Sequence, residues 1–410
     1  MSLLKKEGRR VVVTGIGLLT SNGLNREQVF TNCADGVNGL VECTLFDAKK
    51  LKTAHVGQIQ DETIPYLTNH AQDKERIQYI LDRVIDEAMQ DAAITKEEIT
   101  ELGIRASVSF ATSLAANGRI SGYVAEQKQK GQADPEWLNQ IPAFTTYIKH
   151  RCGAQGSCYT TMSACAAGST AAGIAFDLIQ ENKADVVLVG GADPLTEFSC
   201  VGFHVLRSLS SSVCRPFDDN RDGINIGEGG AFFVVETLEH AKARNARIYG
   251  EIVGYGLNND AYHITSPDPE GFGAYESMRV ASKGISLDEV DYINAHGTGT
   301  RLNDEMESKV IARLFPDRRN DLCVSSTKSM IGHCLAAAGA IEMAVTLMTL
   351  QKGIVTPTIR MDHPMQACKE FDYVTEKRSK NIRYALSNSF AFAGNTASLL
   401  LGSYNEDEKK

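Results

Sequence analysis

Two kinds of apolar pattern alternate along this chain. Continuous runs of β-branched residues that end in glycine occur at Arg10–Gly15 (RVVVTG) and Ala184–Gly191 (ADVVLVGG), a pattern typical of strands buried on both faces. Between Glu75 and Ala93 the apolar residues recur at helical spacing, which predicts one amphipathic helix: Ile77, Ile80, Leu81, Val84, Ile85, Ala88 and Met89. Strands and helices that alternate in this way predict an α/β fold with a mostly parallel sheet.

The two halves of the chain echo each other. Cys165–Gly168 (CAAG) and Cys334–Gly339 (CLAAAG) each open a helix of small residues, and each half ends in a glycine-led apolar strand, at Gly229–Glu236 and Gly394–Leu401. This repetition indicates an internal duplication in which the small-residue helices are buried between sheets. Because helices rich in alanine are common, the pattern alone also permits a chance resemblance between the halves.

Length and charge narrow the classes of function. With 410 residues the chain is too long for one ordinary core and suits two domains or one large double-layered α/β unit. A charged stretch at His240–Gly250 predicts a boundary between residues 1–245 and 246–410. Lys and Arg total 42 and Asp and Glu total 51, a net charge of −9, which argues against nucleic acid as the main partner. The chain shows neither a signal-peptide pattern nor an apolar window of about 18 residues, so no membrane span is expected.

Cysteine usage points to one candidate nucleophile. Ten cysteines occur singly, without a CxxC pair, so neither structural zinc nor a disulfide framework is predicted, and free thiols indicate a reducing compartment, most simply a cytoplasm. Cys165 lies among small residues directly before a predicted helix, where the helix dipole lowers a thiol's pKa and backbone N–H groups can hold an oxyanion. A buried structural cysteine is the alternative interpretation.

A glycine-containing loop follows the apolar stretch at residues 291–293. It carries His296, Thr298 and Thr300 in the sequence NAHGTGT, and such a loop at the end of a strand is where α/β sheets bind ligands. Its glycines do not form the GxGxxG fingerprint of dinucleotide binding. A turn with a hydrogen-bonded histidine is the alternative.

A third stretch brings charged residues to the second small-residue helix. Lys328 and His333 flank its start, and Glu342 lies inside it among Ala, Ile and Met. A carboxylate in such surroundings is costly unless paired, and Lys328 is the obvious partner. Because HExxH and comparable spacings are absent, no metal site is predicted. A fourth stretch, Asn388–Asn395 (NSFAFAGN), reads in isolation as an aromatic turn.

In combination these stretches resemble the β-ketoacyl-[acyl carrier protein] synthases of the thiolase-like condensing enzymes, and most of all their type II elongating branch. The resemblance spans nearly the whole chain and also includes Arg215–Asp218 (RPFD), Arg221–Gly223 (RDG) and Asp260–His263 (DAYH). It implies duplicated thiolase-like halves in a layered α-β-α-β-α sandwich, with mixed five-stranded sheets and buried central helices.

The resemblance also implies an activity, a decarboxylative Claisen condensation. Cys165 would accept an acyl group from carrier-protein phosphopantetheine. His296 and His333 would hold the malonyl thioester and donate hydrogen bonds to the enolate left by the loss of CO₂. The backbone N–H groups of Cys165 and Phe392 would stabilise the tetrahedral oxyanion.

The remaining roles come from the same resemblance. Lys328, paired with Glu342, would act through charge and hydrogen bonding. Thr298 and Thr300 would bind the pantetheine arm, and the Phe392 ring would separate the acyl pocket from the malonyl side. No metal or nucleotide cofactor is implied, because the substrates are carried on phosphopantetheine.

Three departures from the family pattern concern substrate and partner. Ala391 and Ala393 stand where the gatekeeper loop usually has glycines, Thr68–Gln72 (TNHAQ) replaces the usual basic cluster, and Leu206–Cys214 differs from the primary fatty-acid loop. Since carrier proteins and this chain are both acidic, a local basic patch must overcome their repulsion, and Arg207 is one candidate. These differences favour a specialised polyketide or polyene pathway over fatty-acid supply.

Three rival functions remain to be weighed. A non-catalytic chain-length factor is disfavoured because Cys165, His296 and His333 are all present, although the protein could form a heterodimer with such a factor instead of a homodimer. A thiolase that uses CoA is disfavoured because Phe390–Asn395 contains no second cysteine. The starter-unit branch of ketosynthases is disfavoured because that branch is characterised by a Cys-His-Asn set, whereas this chain resembles the Cys-His-His pattern.

Overall fold

The computed structural model describes residues 8–66, 74–139, 143–318 and 321–405. Its strands are β1 (Val11–Thr20), β2 (Val41–Glu42), β3 (His55–Val56), β4 (Ala106–Ala111), β5 (Cys158–Thr161), β6 (Val186–Asp193), β7 (Gly229–Thr237), β8 (Gly250–Asn259), β9 (Val290–Asn294), β10 (Cys323–Ser325), β11 (Ile354–Val355), β12 (Asp372–Tyr373), β13 (Arg378–Ser379), β14 (Tyr384–Phe390) and β15 (Asn395–Gly402).

The helices lie between these strands. They are α1 (Arg26–Ala34), α2 (Arg76–Asp91), α3 (Lys96–Glu101), α4 (Asn117–Lys130), α5 (Glu136–Asn139), α6 (Phe144–Cys152), α7 (Ala167–Gln180), α8 (Glu197–Val205), α9 (Leu238–Ala243), α10 (Phe272–Ala281), α11 (Arg301–Leu314), α12 (Lys328–Ile331) and α13 (Ala338–Lys352). Across the described ranges, no helix is long and apolar enough to cross a membrane.

The sheet topology reveals the duplication. In the described part of the chain, one large sheet has the strand order β12-β10-β9-β14-β15-β8-β1-β7-β6-β4-β5. The five main strands are β1, β4, β5, β6 and β7 in the first half and β8, β9, β10, β14 and β15 in the second. Numbered 1 to 5 in chain order, the strands of both halves lie in the order 3-2-4-5-1. Pairs 3-2 and 2-4 are parallel, and pairs 4-5 and 5-1 are antiparallel. The predicted duplicated α/β fold is therefore confirmed, but the sheet is mixed and not mostly parallel, because the last strand of each half pairs antiparallel with both of its neighbours. The two five-stranded units are joined where Val11–Val13 pairs with Gly250–Ile252.

Helices form three layers around these strands. The central helices α7 and α13 contact each other and strands of both halves, whereas α2 packs on β1 and β7 from outside and α10 packs on β8 and β15. Alternate residues of one strand serve different layers, because Val187 and Val189 of β6 join the core around the central helices while Val186 and Leu188 join the core under α2. This alternation produces the layered α-β-α-β-α arrangement.

Both predicted small-residue helices are present, and each begins with the same distorted turn. A short 3₁₀ turn precedes α7 and another precedes α13. Ala164 and Leu335, the first residues of these turns, have φ values of 48° and 51°, a left-handed conformation that is uncommon for residues with a Cβ. The duplicated turns direct the residues around Cys165 and His333 towards the middle of the molecule. The boundary at residue 245 stays a prediction.

Glycines set the distance between the two central helices. A Cβ on Gly168 would lie 2.5 Å from the backbone nitrogen of Ala340, and one on Gly339 would lie 2.6 Å from the backbone nitrogen of Ser169. Contacts this short do not occur between a real Cβ and backbone, so the helices approach closely only because these two side chains are absent.

We predict that Gly339→Ala lowers the free energy of unfolding by about 1–3 kcal/mol, because the added methyl forces the central helices apart. Urea denaturation followed by circular dichroism measures the change. The matched control is Gly202→Ala in α8, where a Cβ would meet nothing within 4 Å and the helix should be unchanged or gain up to about 1 kcal/mol. Equal stability of the two variants would contradict this account of helix packing.

Candidate active site

Residues from both halves of the chain line one cavity of about 480 Å³. Cys165 comes from the first half, and five further candidates come from the second: His296, Thr298, Thr300, His333 and Phe392. Lys328 and Glu342 are both buried behind the cavity wall. The structure thus brings together residues that are up to 227 positions apart in sequence, the separation of Cys165 and Phe392 (392 less 165).

Cys165 lies in the 3₁₀ turn before α7, and its side chain is 8% exposed. Burial raises the pKa of the Cys165 thiol to about 12, and the charge on Lys328 only partly opposes this rise. The expectation of a pKa lowered towards thiolate is therefore wrong for the unliganded protein. Loss of hydration at this buried position outweighs the charge of Lys328 and the helix dipole, so Cys165 rests as a neutral thiol.

His296 is held on three sides. Its backbone N–H donates to Glu307 at 2.9 Å. The Lys328 ammonium lies 2.7 Å from its carbonyl oxygen and 3.2 Å from its ring Nδ1. Since an ammonium group can only donate, Nδ1 is the acceptor in this contact. The proton of the neutral ring must therefore be on Nε2.

Backbone hydrogen bonds fix His333 in the same tautomer as His296. Its own N–H donates to the Asn225 carbonyl at 2.8 Å, and its carbonyl accepts from the Gly227 N–H at 3.0 Å. The N–H of Leu335 donates to ring Nδ1 at 3.0 Å. A backbone N–H has no acceptor role, so Nε2 of His333 also carries the ring proton.

The two imidazoles form one electrostatic unit. Their ring centroids are 5.5 Å apart, with the ring planes nearly perpendicular. Burial, reinforced by the charge of Lys328, lowers the pKa of His296 and of His333 well below 6.5. Both rings are therefore neutral at physiological pH. Two neutral Nε2–H donors in one cavity are suited to stabilising a negative charge that develops on a bound oxygen.

The buried ammonium of Lys328 has three acceptors for its three protons. Two belong to His296, and the third is the carboxylate of Glu342. Burial raises the pKa of Glu342, and the positive charge of Lys328 opposes that rise. The pairing expected from the sequence is present, and it holds the charge of Lys328 beside the Nδ1 of His296.

Two carboxylates that the sequence patterns did not reveal shape the loop of His296. Glu307 accepts hydrogen bonds from the N–H groups of His296 and Gly297, and Asp304 accepts from those of Thr298 and Gly299. Both carboxylates lie on α11 directly after the loop, at a spacing of one helical turn. The sequence did contain a signal for these two acceptors, namely carboxylates in the first turns of a helix that follows a glycine-containing loop. Such a loop leaves N–H groups in need of acceptors.

The aromatic turn at Phe392 closes another side of the cavity. The Phe392 ring stacks on Phe203 with centroids 5.6 Å apart. Ala393 adopts φ 60°, a conformation that glycine would adopt at less cost, so the loop is strained by about 1 kcal/mol.

Three further sequence predictions concern the segment that replaces the basic cluster, metal binding and the two threonines. The segment Thr68–Gln72, which replaces the usual basic cluster, lies outside the described residues. In the described ranges no group of three or more His, Cys, Asp or Glu side chains could hold a metal ion. The Thr298 and Thr300 hydroxyls lie 2.9 Å apart on the cavity wall.

Comparison with known proteins assigns the chain to a family. Residues 8–241 match the model of the beta-ketoacyl synthase N-terminal domain, and residues 249–362 match that of the C-terminal domain. The chain belongs to the beta-ketoacyl synthase family. This synthase is 35% identical over 412 residues to 3-oxoacyl-[acyl-carrier-protein] synthase 2 of Staphylococcus aureus (strain COL), covering 96% of this chain and 98% of that protein.

Two solved structures are similar to this synthase over 97% of its chain and all of theirs. The ishigamide ketosynthase/chain length factor superposes with a TM-score of 0.89 at 32% identity. A type II PKS acyl-carrier protein in complex with its ketosynthase bound to the hexaketide gives a TM-score of 0.89 at 30% identity. Such full-length agreement confirms the thiolase-like architecture.

We predict that His333 makes the stability of the synthase fall in acid. Because its pKa is lowered in the folded state, the unfolded chain binds a proton below pH 6.5 that the folded chain does not, so stability is lost as the pH falls below 6.5. His333→Asn, whose Oδ1 can accept the same Leu335 N–H, should lose about 1–2 kcal/mol less unfolding free energy between pH 7 and pH 5. Urea denaturation at both pH values measures this difference, and identical losses would show that His333 is not the acid-sensitive group.

Proposed function

We propose that this synthase condenses an acyl group on Cys165 with malonyl-[acyl carrier protein], giving 3-oxoacyl-[acyl carrier protein] and CO₂ during chain elongation. The observation that carries the proposal is the cavity in which one cysteine and the neutral rings of His296 and His333 meet. Condensation needs both parts, because the thiol stores the acyl chain and the two N–H donors stabilise an enolate without protonating its carbon.

The first half-reaction is acyl transfer. The sulfur of Cys165 attacks the thioester carbonyl of the acyl carrier protein, and the resulting oxyanion lies against the N–H groups of Cys165 and Phe392. When the intermediate collapses, the pantetheine sulfur leaves and takes up the proton that the Cys165 thiol has lost. This route suits a neutral resting thiol, because the proton and the acyl group move in opposite directions and no buried thiolate persists.

The second half-reaction forms the carbon–carbon bond. The malonyl thioester loses CO₂, and the electron pair of the broken carbon–carbon bond stays on the thioester as an enolate. The enolate oxygen accepts hydrogen bonds from the Nε2–H groups of His296 and His333. The α-carbon of the enolate then attacks the acyl-Cys165 carbonyl, and the tetrahedral intermediate expels the Cys165 sulfur, which takes up a proton from solvent. Lys328 and Glu342 hold His296 in the donating tautomer, and Thr298 with Thr300 contacts the pantetheine arm.

An acyl carrier protein is the partner that this reaction requires. The protein acts either as a homodimer or as a heterodimer with a chain-length-factor-like subunit. The similar ketosynthase/chain length factor structure is the observation that favours the second arrangement. The proposal has four further parts. The product is a polyketide or polyene, and the reaction needs no metal or other cofactor. The protein is cytoplasmic, and its domain boundary lies near residue 245.

We predict that Cys165→Ala abolishes acyl transfer and condensation while the protein stays folded, because the substitution removes the sulfur and little else from a small-residue turn. Mass spectrometry of the intact protein after incubation with a panel of acyl carrier thioesters detects the covalent intermediate. Cys43→Ala, outside the cavity, is the control and should acylate normally. Condensation by Cys165→Ala at the wild-type rate would refute the assignment of the nucleophile.

His333→Ala should slow malonyl decarboxylation by about 10²–10³-fold, the usual effect of losing one preorganised donor to a developing oxyanion. Release of labelled CO₂ from malonyl-[acyl carrier protein] reports this step without the carbon–carbon bond. Acylation of Cys165 in the same variant should persist, because that step uses backbone donors. Normal CO₂ release would remove His333 from the mechanism.

A further inference from the structure

The proposed mechanism leaves one buried carboxylate beside the active site without a role. Asp193 is the last residue of β6, and its side chain is fully buried. Its Oδ1 accepts hydrogen bonds from the Thr112 hydroxyl at 2.7 Å and the Leu114 N–H at 3.0 Å, and the Ser113 N–H donates to both oxygens. Its Oδ2 also accepts from the N–H of Ala336 at 2.8 Å. One carboxylate therefore connects a turn of the first half with the turn that precedes α13 in the second half.

The fold itself does not require a carboxylate at this position. Asp193 ends the fourth strand of the first half, and Phe390 ends the fourth strand of the second half. Equivalent positions thus carry a buried charge in one half and an apolar ring in the other, although both strands pair with the fifth strand in the same way. Burying a carboxylate costs free energy unless hydrogen bonds compensate, so Asp193 points to a role in positioning a neighbouring group.

The ring of His333 is the group that Asp193 can position. The N–H of Leu335, which precedes Ala336 in the turn, donates to ring Nδ1 of His333 at 3.0 Å. Leu335 has φ 51°, a conformation that is unfavourable for a residue with a Cβ and persists only where the surroundings hold it. The contact of Asp193 with Ala336 fixes the backbone immediately after this strained residue. It therefore also fixes the donor that keeps the ring proton of His333 on Nε2.

We propose that Asp193 is a positioning residue, which holds the turn at Leu335 so that His333 presents its Nε2–H to the enolate. The enolate part of the inference rests on the proposed condensation, whereas the hold on the ring is a property of the protein alone. The proposal gives the first half of the chain a part in the malonyl side of the cavity, although both histidines belong to the second half.

The ionised form of Asp193 suits this role. The four groups that contact its oxygens in the described structure are all donors, because the Thr112 hydroxyl accepts from the Ala115 N–H and so directs its own proton to the carboxylate. Burial raises the pKa of Asp193 to about 6, and the hydrogen bonds oppose this rise, so the side chain is mainly charged at pH 7. An amide in its place would set a hydrogen against one of these donors.

Asp193→Asn tests the inference, because it keeps the shape of the side chain and replaces one acceptor oxygen by a donor. The amide oxygen can satisfy the three donors that converge on Oδ1, and the amide nitrogen then faces the N–H of Ala336. We expect the rate of CO₂ release from malonyl-[acyl carrier protein] to fall by about 10-fold or more, because His333 is misdirected. Acylation of Cys165, followed by mass spectrometry of the intact protein, should proceed at the wild-type rate, because it uses backbone donors.

Asp177→Asn is the matched control. Asp177 lies on α7 and accepts a hydrogen bond from the Tyr255 hydroxyl on β8, so it also connects the two halves. It lies ten residues after the start of α7 at Ala167, or about 15 Å along the helix. The control makes the same chemical change and should leave both CO₂ release and acylation unchanged. An equal loss of both reactions in Asp193→Asn, or unchanged CO₂ release, would overturn the inference.

A double-mutant cycle shows whether Asp193 acts through His333. Once the imidazole is absent its orientation cannot matter, so D193N should not slow CO₂ release further in the His333→Ala background. If D193N lowers the rate by the same factor in both backgrounds, the two residues act independently and the positioning role is refuted.

A spectroscopic measurement separates this inference from the proposed function, because it needs no turnover. The nitrogen chemical shifts of a neutral imidazole distinguish its protonated from its unprotonated nitrogen, and His333→Asn identifies the His333 signals among those of the nine histidines. We expect a single Nε2–H tautomer in the wild type and a mixture of tautomers in D193N. The same tautomer in both proteins would contradict the inference. A changed tautomer in D193N, together with a wild type that releases no CO₂, would contradict the proposed function alone.

Asp193→Ser is the second variant, for the case in which D193N does not fold. It removes the carboxylate and shortens the side chain, so that its oxygen no longer reaches the N–H of Ala336. The same selective loss of CO₂ release and the same change of tautomer are expected. Wild-type behaviour in both measurements would count decisively against a positioning role.

Discussion

The arrangement of the active site depends on one buried ammonium group. Lys328 directs its three protons to the ring and carbonyl of His296 and to Glu342, and it thereby connects the loop after β9, the start of α12 and the central helix α13. A charge at this depth is tolerated only because each proton has an acceptor. Burial, reinforced by the charge of this ammonium, lowers the pKa of both His296 and His333.

Burial determines the protonation state of the titratable groups that line the cavity. It keeps His296 and His333 neutral and raises the pKa of the Cys165 thiol to about 12. The cavity in its resting state therefore presents neutral hydrogen-bond donors and a neutral thiol, and in the proposed reaction the substrate carries negative charge at these donors only transiently. Preorganised donors stabilise such transient charge well, because no water has to be reoriented when it forms.

The duplication explains how two different reactive groups reach one cavity. Each half begins its central helix with a left-handed residue, Ala164 in the first and Leu335 in the second. In the first half the next residue is Cys165, and in the second half the N–H of Leu335 fixes the ring of His333. Equivalent turns face each other because Gly168 and Gly339 let the helices approach closely, so a repeated backbone supports two chemical roles.

Local patterns were sufficient for the elements and for much of the candidate site. The periodicity from Ile77 to Ala88 predicted α2, and the repeated small-residue motifs predicted both central helices, because these features depend on neighbours in sequence. The pKa of Cys165 was predicted in the wrong direction, and Asp304 and Glu307 were not recognised. Burial of a thiol, and the acceptors that a loop finds on the following helix, arise only when distant segments pack together. The sequence by itself thus determined which groups are available, and the tertiary structure decided their protonation, their partners and the cavity that they share.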